Sequence, residues 1–169
     1  MLKILFVCTG NTCRSPMAEF LMKEIVTEKG LSQLVSVRSA GLAAMPGDRI
    51  NEQAATVLES NYTIVSDEHR STAVSPYLLD EQDLILVMTE SHAEHIQAVR
   101  PDLRERVYTV IEFYLRAYQA LFPEHSLPAY TSLSVADPYG LSLSVYEDTA
   151  AMLKEYLKVI VDYIEKEML

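Results

Sequence analysis

The sequence has few basic residues and no long apolar run. Fourteen lysines and arginines stand against 24 acidic residues among 169, which gives a net charge of −10. Because nucleic acids and anionic membranes bind basic surfaces, neither is expected as a partner. No stretch approaches the roughly 18 consecutive apolar residues of a membrane span, and the start lacks the basic region and cleavage site of a signal peptide. The sequence therefore predicts a cytoplasmic protein without membrane association.

Cysteine is also scarce. Cys8 and Cys13 are the only two, five positions apart, which is poor spacing for a structural disulfide framework. The segment around them has no metal-ligand spacing, and we expect neither a metal nor a cofactor. The pair therefore indicates a chemical role for a thiol.

The apolar pattern predicts an α/β fold in one domain, residues 1–169, with 49% hydrophobic residues to form its core. Short apolar runs predict strands, and helical periodicity predicts the segments between them. An open, parallel, four-stranded sheet with helices on both faces follows from this alternation. Residues 117–140, rich in proline and without periodicity, are expected to form a long loop. The predicted strands are 2–7, 35–41, 83–88 and 107–110, and the predicted helices are 16–29, 51–58, 90–99, a short one from 111, and 143–167.

The stretch VCTGNTCRSP, residues 7–16, joins the first strand to the first helix. Ligands of open α/β sheets bind at such junctions, outside the carboxyl ends of the strands. Gly10 and Asn11 permit backbone conformations with positive φ, so that successive N–H groups turn toward one point. The helix that follows adds its free N–H groups and the positive end of its dipole. The junction is therefore predicted to bind an anion, as a phosphate-binding loop after the first strand.

Cys8 would lie at the base of this loop, where the field that binds an anion also stabilises a thiolate. Arg14 offers a planar fork that matches two phosphate oxygens, and Ser15 can donate its hydroxyl to the thiolate. The alternative is that Cys8 is a small buried residue and Arg14 a surface charge. The strand before the loop and the helix after it favour a nucleophile with a phosphoryl clamp.

The stretch CTGNTCRSPMAE resembles the signature of the low-molecular-weight protein tyrosine phosphatase family, and DPYG, residues 137–140, resembles its general-acid loop. The segments at 39–41 and 69–71 are also similar, so the resemblance extends from residue 2 to the last helix.

The resemblance implies that Cys8 attacks phosphorus to form a phosphocysteine, and that Arg14 and the loop amides hold the phosphoryl group. Asp137 would protonate the leaving group and then act as base toward water. Without the resemblance, Asp137 would be interpreted as a turn residue before a proline. The loop residues so implied are Thr9, Gly10, Asn11, Thr12, Cys13 and Ser15.

The resemblance also assigns supporting roles. Asn11, Ser39 and His69 would hold the loop through hydrogen bonds. The alternative for His69 is an ordinary loop histidine. Cys13 is either a small buried residue or a resolving thiol that traps oxidised Cys8. The implied partners are phosphorylated proteins, and the chain is expected to be a monomer or a weak homodimer.

Thr12 bears on the substrate, because the family's tyrosine phosphatases usually carry isoleucine there and its protein arginine phosphatases carry threonine. This resemblance favours phosphoarginine. Tyr139 stands where the arginine branch has phenylalanine, and the loop before it is longer than usual. With Tyr114, Tyr118 and Tyr130, it could form aromatic walls that suit phosphotyrosine, the main alternative.

Two further functions are weaker alternatives. A thiol-dependent arsenate reductase shares the fold and loop, but it needs cysteines beyond Cys13 to pass electrons. A non-catalytic phosphoprotein-binding module would be expected to lack the nucleophile or the acid, and this chain retains both Cys8 and Asp137.

Overall fold

The structure is a computed structural model that describes all residues, 1–169. Its strands are β1 (Leu2–Cys8), β2 (Val35–Gly41), β3 (Leu84–Val87) and β4 (Val107–Thr109). Its helices are α1 (Arg14–Glu28), α2 (Glu52–Tyr62), α3 (Pro76–Asp80), α4 (Glu90–Val99), α5 (Val110–Leu121) and α6 (Leu143–Glu167), with a 3₁₀ helix at Pro101–Arg106.

The four strands form one sheet in the order β2-β1-β3-β4, and every pair is parallel. β1 is therefore an interior strand, which explains its nearly continuous apolar sequence. At its carboxyl end, Cys8 pairs with Gly41 of β2, and Val7 pairs with Val87 of β3. This arrangement places the segment after Cys8 at the edge where the ends of three strands meet.

Both faces of the sheet are covered by helices, as predicted. Ile4 and Phe6 of β1 belong to the larger apolar cluster, which includes residues of α1, α2, α5 and α6. Leu5 and Val7 alternate with them and pack on the other face, against Leu79 of α3 and other residues there. The two-residue period of the strand thus divides its side chains between two cores.

The predicted elements are largely confirmed, with three corrections. The helix after β4 was predicted to be short and to begin at residue 111, but it has 12 residues, Val110–Leu121. Residues 117–121 therefore belong to this helix and not to the long loop. Its start is fixed by a capping box between Thr109 and Glu112. α3 and the 3₁₀ helix were not predicted, because each is too short to show a period. No helix combines the length and apolarity needed to cross a membrane.

Candidate active site

The backbone of the loop between β1 and α1 is shaped by Asn11 and by a glycine from outside the loop. Asn11 has a φ of 56°, in the left-handed region. The prediction for Gly10 was wrong, because its φ is not positive. Gly41 of β2 matters instead, since an added Cβ would lie 2.5 Å from the Thr9 carbonyl oxygen and 2.8 Å from the Asn11 nitrogen. The loop therefore packs directly against the backbone of β2.

The Asn11 side chain is buried, and both its amide nitrogen and its amide oxygen form hydrogen bonds. Its Nδ2 donates to Ser15 Oγ at 2.9 Å and to Ser39 Oγ at 2.8 Å. Its Oδ1 accepts from the backbone nitrogen of Thr72 at 2.8 Å. One side chain thus connects the loop, the start of α1, the end of β2 and the segment at Thr72.

The Asn11 carbonyl oxygen is also fixed, by two side chains from the segment before α3. His69 Nε2 donates to it over 2.8 Å, and Ser71 Oγ donates over 2.9 Å. His69 is buried rather than an ordinary exposed loop histidine. The structure therefore brings Ser39 and His69, distant in sequence, onto Asn11, where together they hold its left-handed conformation.

Cys8 is buried at the base of the loop. Its Sγ lies 3.0 Å from Ser15 Oγ and accepts a hydrogen bond from the Asn11 backbone nitrogen at 3.2 Å. The four other N–H groups of the loop have no acceptor within the protein and are therefore available to an anion. They belong to Thr9, Gly10, Thr12 and Cys13.

Arg14, the first residue of α1, joins the loop to the segment that contains Asp137. Its side chain is 5% exposed. Nη1 donates to the Val135 carbonyl oxygen at 3.0 Å, and Nη2 donates to Asp137 Oδ2 at 2.9 Å. The buried Nε has no partner in the protein. The guanidinium therefore holds Asp137 close to the loop, and its Nε–H group is not used in any bond within the protein.

These groups line a cleft of about 300 Å³. No group of three or more histidine, cysteine, aspartate or glutamate side chains is arranged to hold a metal ion. Ala43, Met45 and Asp48, which follow β2, were not predicted, since nothing in their local sequence marks them. The cleft is lined by Cys8, Thr9, Gly10, Thr12, Cys13, Arg14, Ala43, Met45, Asp48, Asp137 and Tyr139.

The aromatic residues expected around the cleft are divided between two places. Tyr139 lines the cleft and is 69% exposed. The prediction for Tyr114, Tyr118 and Tyr130 was wrong, because none of them lines the cleft. The Tyr114 ring lies 4.5 Å from that of Tyr156, and burial is the main cause that raises the pKa of Tyr114 to about 12. These tyrosines pack α5 and the long loop against α6.

Cys13 is buried beneath the loop, with its Sγ 3.6 Å from the Tyr146 hydroxyl oxygen. Burial raises the pKa of the Cys13 thiol, although the hydrogen bond with Tyr146 opposes the shift. Cys13 therefore remains a protonated thiol near neutral pH and packs as a small buried residue. Its role as a resolving thiol stays a prediction.

His92 of α4 is a further residue that the sequence did not reveal. Its Nε2 lies 2.9 Å from Thr9 Oγ1, and its buried Nδ1 has no partner. Burial and then the positive charge of Arg14 lower the pKa of His92 to about 4. The imidazole is therefore neutral near pH 7, and it forms a hydrogen bond with Thr9, the first residue of the loop.

The chain is similar to known phosphatases over nearly its whole length. Residues 3–169 match the family model described as low molecular weight phosphotyrosine protein phosphatase. The chain is 34% identical to a protein-arginine-phosphatase of Bacillus subtilis, over 97% of each chain. It is 31% identical to a probable low molecular weight protein-tyrosine-phosphatase, EpsP, of Ralstonia solanacearum, over 89% of this chain and 88% of that one.

Among solved structures, it is similar to a mutant of the YwlE arginine phosphatase with a phosphorylated active site serine. The TM-score is 0.81 and the identity 33%, covering 98% of this chain and 97% of the other.

Proposed function

Since the chain belongs to the low molecular weight phosphotyrosine protein phosphatase family, we propose that it hydrolyses phosphoarginine in proteins through a phosphocysteine on Cys8. One observation carries this proposal. The Cys8 thiol and the paired side chains of Arg14 and Asp137 line one cleft, together with the four loop residues whose backbone N–H groups have no acceptor in the protein. A nucleophile, an anion site and a proton donor in one place are what phosphoryl transfer requires.

In the first step, Cys8 Sγ attacks phosphorus, and the bond from phosphorus to the leaving nitrogen breaks. The free N–H groups of the loop and the Arg14 guanidinium stabilise the charge on the phosphoryl oxygens. Asp137 gives its proton to the leaving nitrogen as the bond to phosphorus breaks, so that the arginine side chain departs as a guanidinium. The products are a phosphocysteine and an arginine side chain.

In the second step, water attacks the phosphocysteine. Asp137, now a carboxylate, accepts a proton from this water, and the Cys8 sulfur leaves. Ser15 Oγ, 3.0 Å from that sulfur, and the Asn11 N–H group stabilise the departing thiolate. Phosphate is released, and Asp137 is again protonated for the next cycle.

The preference for phosphoarginine rests on Thr12 and on the relatives. Thr12 lines the cleft, and its hydroxyl offers a polar contact to a guanidinium where isoleucine would offer only an apolar one. The Bacillus subtilis relative and the YwlE structure are both named for arginine phosphatase activity. Phosphotyrosine is the competing substrate, because the EpsP relative is named for it and the Tyr139 ring lines the same cleft.

Matched peptides that carry phosphoarginine or phosphotyrosine at the same position test the proposal. The measured quantity is kcat/KM for phosphate release, with the Cys8→Ser variant as the blank. We expect wild type to favour phosphoarginine, and Thr12→Ile to lower the ratio of the two values by about tenfold or more. Thr12→Val removes the hydroxyl and retains the shape, so it separates polarity from size. A wild-type preference for phosphotyrosine would contradict the proposal.

A further inference from the structure

Three charged side chains line the cleft, and one of them has no partner. Arg14 and Asp137 pair with each other. The side chain of Asp48 makes neither a hydrogen bond nor an ion pair with any other residue. The cleft that would receive a phosphate dianion therefore also presents an unneutralised carboxylate.

Asp48 is held in place through its backbone. Its N–H group donates to the Met45 carbonyl oxygen at 3.2 Å, and its carbonyl oxygen accepts from the Ser71 nitrogen at 2.8 Å. The Ser71 hydroxyl also donates to the Asn11 carbonyl oxygen, at 2.9 Å. Ser71 thus bonds both the Asp48 backbone and the loop, so that the backbone of Asp48 has a defined position beside the site.

A carboxylate in this position distinguishes between substrates. It repels a phosphate dianion, and phosphotyrosine brings no positive charge to offset the repulsion. Phosphoarginine carries a guanidinium directly next to its phosphoryl group, with N–H groups that phosphorus does not occupy. Such a group forms charge-assisted hydrogen bonds with a carboxylate.

We propose that Asp48 is a specificity residue that accepts a hydrogen bond from the substrate guanidinium, an inference that rests on the function proposed above. The backbone N–H groups and Arg14 would bind the phosphoryl group, Asp137 would transfer the proton, and Asp48 would recognise the cation. The two carboxylates thus have separate roles, because Asp137 is occupied by Arg14 and Asp48 is free.

The exposed position of Asp48 sets the size of its effect. Charge-assisted hydrogen bonds at exposed sites contribute little, so removal of this charge should reduce kcat/KM for phosphoarginine by about five-fold. The effect should be screened by salt, because the Debye length falls from about 10 Å at 0.1 M to about 3 Å at 1 M. A purely structural role of Asp48 would show no such salt dependence.

Asp48→Asn is the test, because it keeps the shape of the side chain and removes its charge. The matched peptides are assayed with wild type and Asp48→Asn at low and high ionic strength. Glu28→Gln is the control, since it makes the same change of net charge at the exposed end of α1 distant from the loop. At low salt, we expect Asp48→Asn to lower kcat/KM for phosphoarginine and to leave unchanged or raise kcat/KM for phosphotyrosine. At high salt, the kcat/KM values of Asp48→Asn should approach those of wild type. Glu28→Gln should match wild type.

An unchanged ratio of the two kcat/KM values would overturn the role of Asp48. If that ratio is unchanged because both values fall equally, Asp48 is a support of the loop. The proposed function fails on a different measurement, a wild-type preference for phosphotyrosine. If wild type prefers phosphotyrosine but still hydrolyses phosphoarginine, the change in the ratio of the two kcat/KM values in Asp48→Asn still tests the role of Asp48. If wild type does not hydrolyse phosphoarginine at all, both the proposed function and the role of Asp48 are overturned.

Discussion

Arg14 Nη2 donates to Asp137 Oδ2 at 2.9 Å, although the two residues lie 123 positions apart. This contact joins the start of α1 to the segment before α6, and a second one, from Nη1 to the Val135 carbonyl oxygen, reinforces it. Under the proposed mechanism, the residue that clamps the phosphoryl group also orients the acid. The Nε of Arg14, which is buried without a partner, remains available to the phosphoryl oxygens.

The first prediction concerns proton transfer by Asp137. Asp137→Asn keeps an oxygen that can accept from Arg14 but cannot supply the proton. We expect formation of the phosphocysteine from a phosphoarginine peptide to slow by about 10²- to 10³-fold, measured by rapid quench. An aryl phosphate with an activated leaving group needs less protonation and should lose less. An equal loss for both substrates would contradict the assignment of Asp137 as the acid.

The second prediction concerns the contact between β2 and the loop. A Cβ at Gly41 would lie 2.5 Å from the Thr9 carbonyl oxygen and 2.8 Å from the Asn11 nitrogen, and both are backbone atoms that move only with the loop. We expect Gly41→Ala to lower the free energy of unfolding by about 1–3 kcal/mol and to reduce kcat/KM by at least about tenfold, because displaced amides no longer converge on the phosphoryl group. Urea unfolding and steady-state assays measure the two effects.

Gly30→Ala is the matched control for this change. Gly30 has a φ of 71° with no atom within 4 Å of an added Cβ, so alanine there strains the backbone by about 1 kcal/mol without a clash. This variant should lose stability and keep its activity. Wild-type activity in Gly41→Ala would show that the loop does not depend on the close approach of β2.

The sequence predicted those features that are encoded by contiguous residues. The bounds of α4 and α6 were correct because each has enough residues to repeat the helical pattern. α3, with five residues, is too short to repeat that pattern. The loop between β1 and α1 was likewise visible because it occupies one short stretch. Only the resemblance to a family pointed to Ser39 and His69.

Contacts between separate segments were not visible in the sequence. Gly41 contacts the loop, and Asp48 lines the same cleft, because β1 and β2 are parallel neighbours with Cys8 opposite Gly41. The positive φ was expected at both Gly10 and Asn11. It occurs only at Asn11, where the hydrogen bonds with Ser39, His69 and Thr72 offset the strain that a residue with a side chain meets in that conformation.

The third prediction concerns the buried imidazole of His92, whose pKa is about 4 in the folded protein because of burial and the nearby charge of Arg14. In the unfolded chain, the pKa of histidine is about 6.5. Between these values the unfolded state binds more protons, so stability falls as the pH drops from about 6.5 toward 4. His92→Gln retains a group that can bond Thr9 Oγ1 and removes the titration. Between pH 8 and pH 5, the free energy of unfolding should therefore fall by about 1–2 kcal/mol less in this variant than in wild type. Urea unfolding at each pH measures this difference.

His95, exposed on the same helix, supplies the control for this effect. His95→Gln removes an imidazole that is exposed to solvent, so the stability of this variant should depend on pH as that of wild type does. If His92→Gln lost as much stability as wild type between pH 8 and pH 5, the acid sensitivity would arise elsewhere. If the predicted difference appears, His92 is neutral in the folded protein at neutral pH. Its bond to Thr9 then fixes the start of the loop without adding a second positive charge beside Arg14.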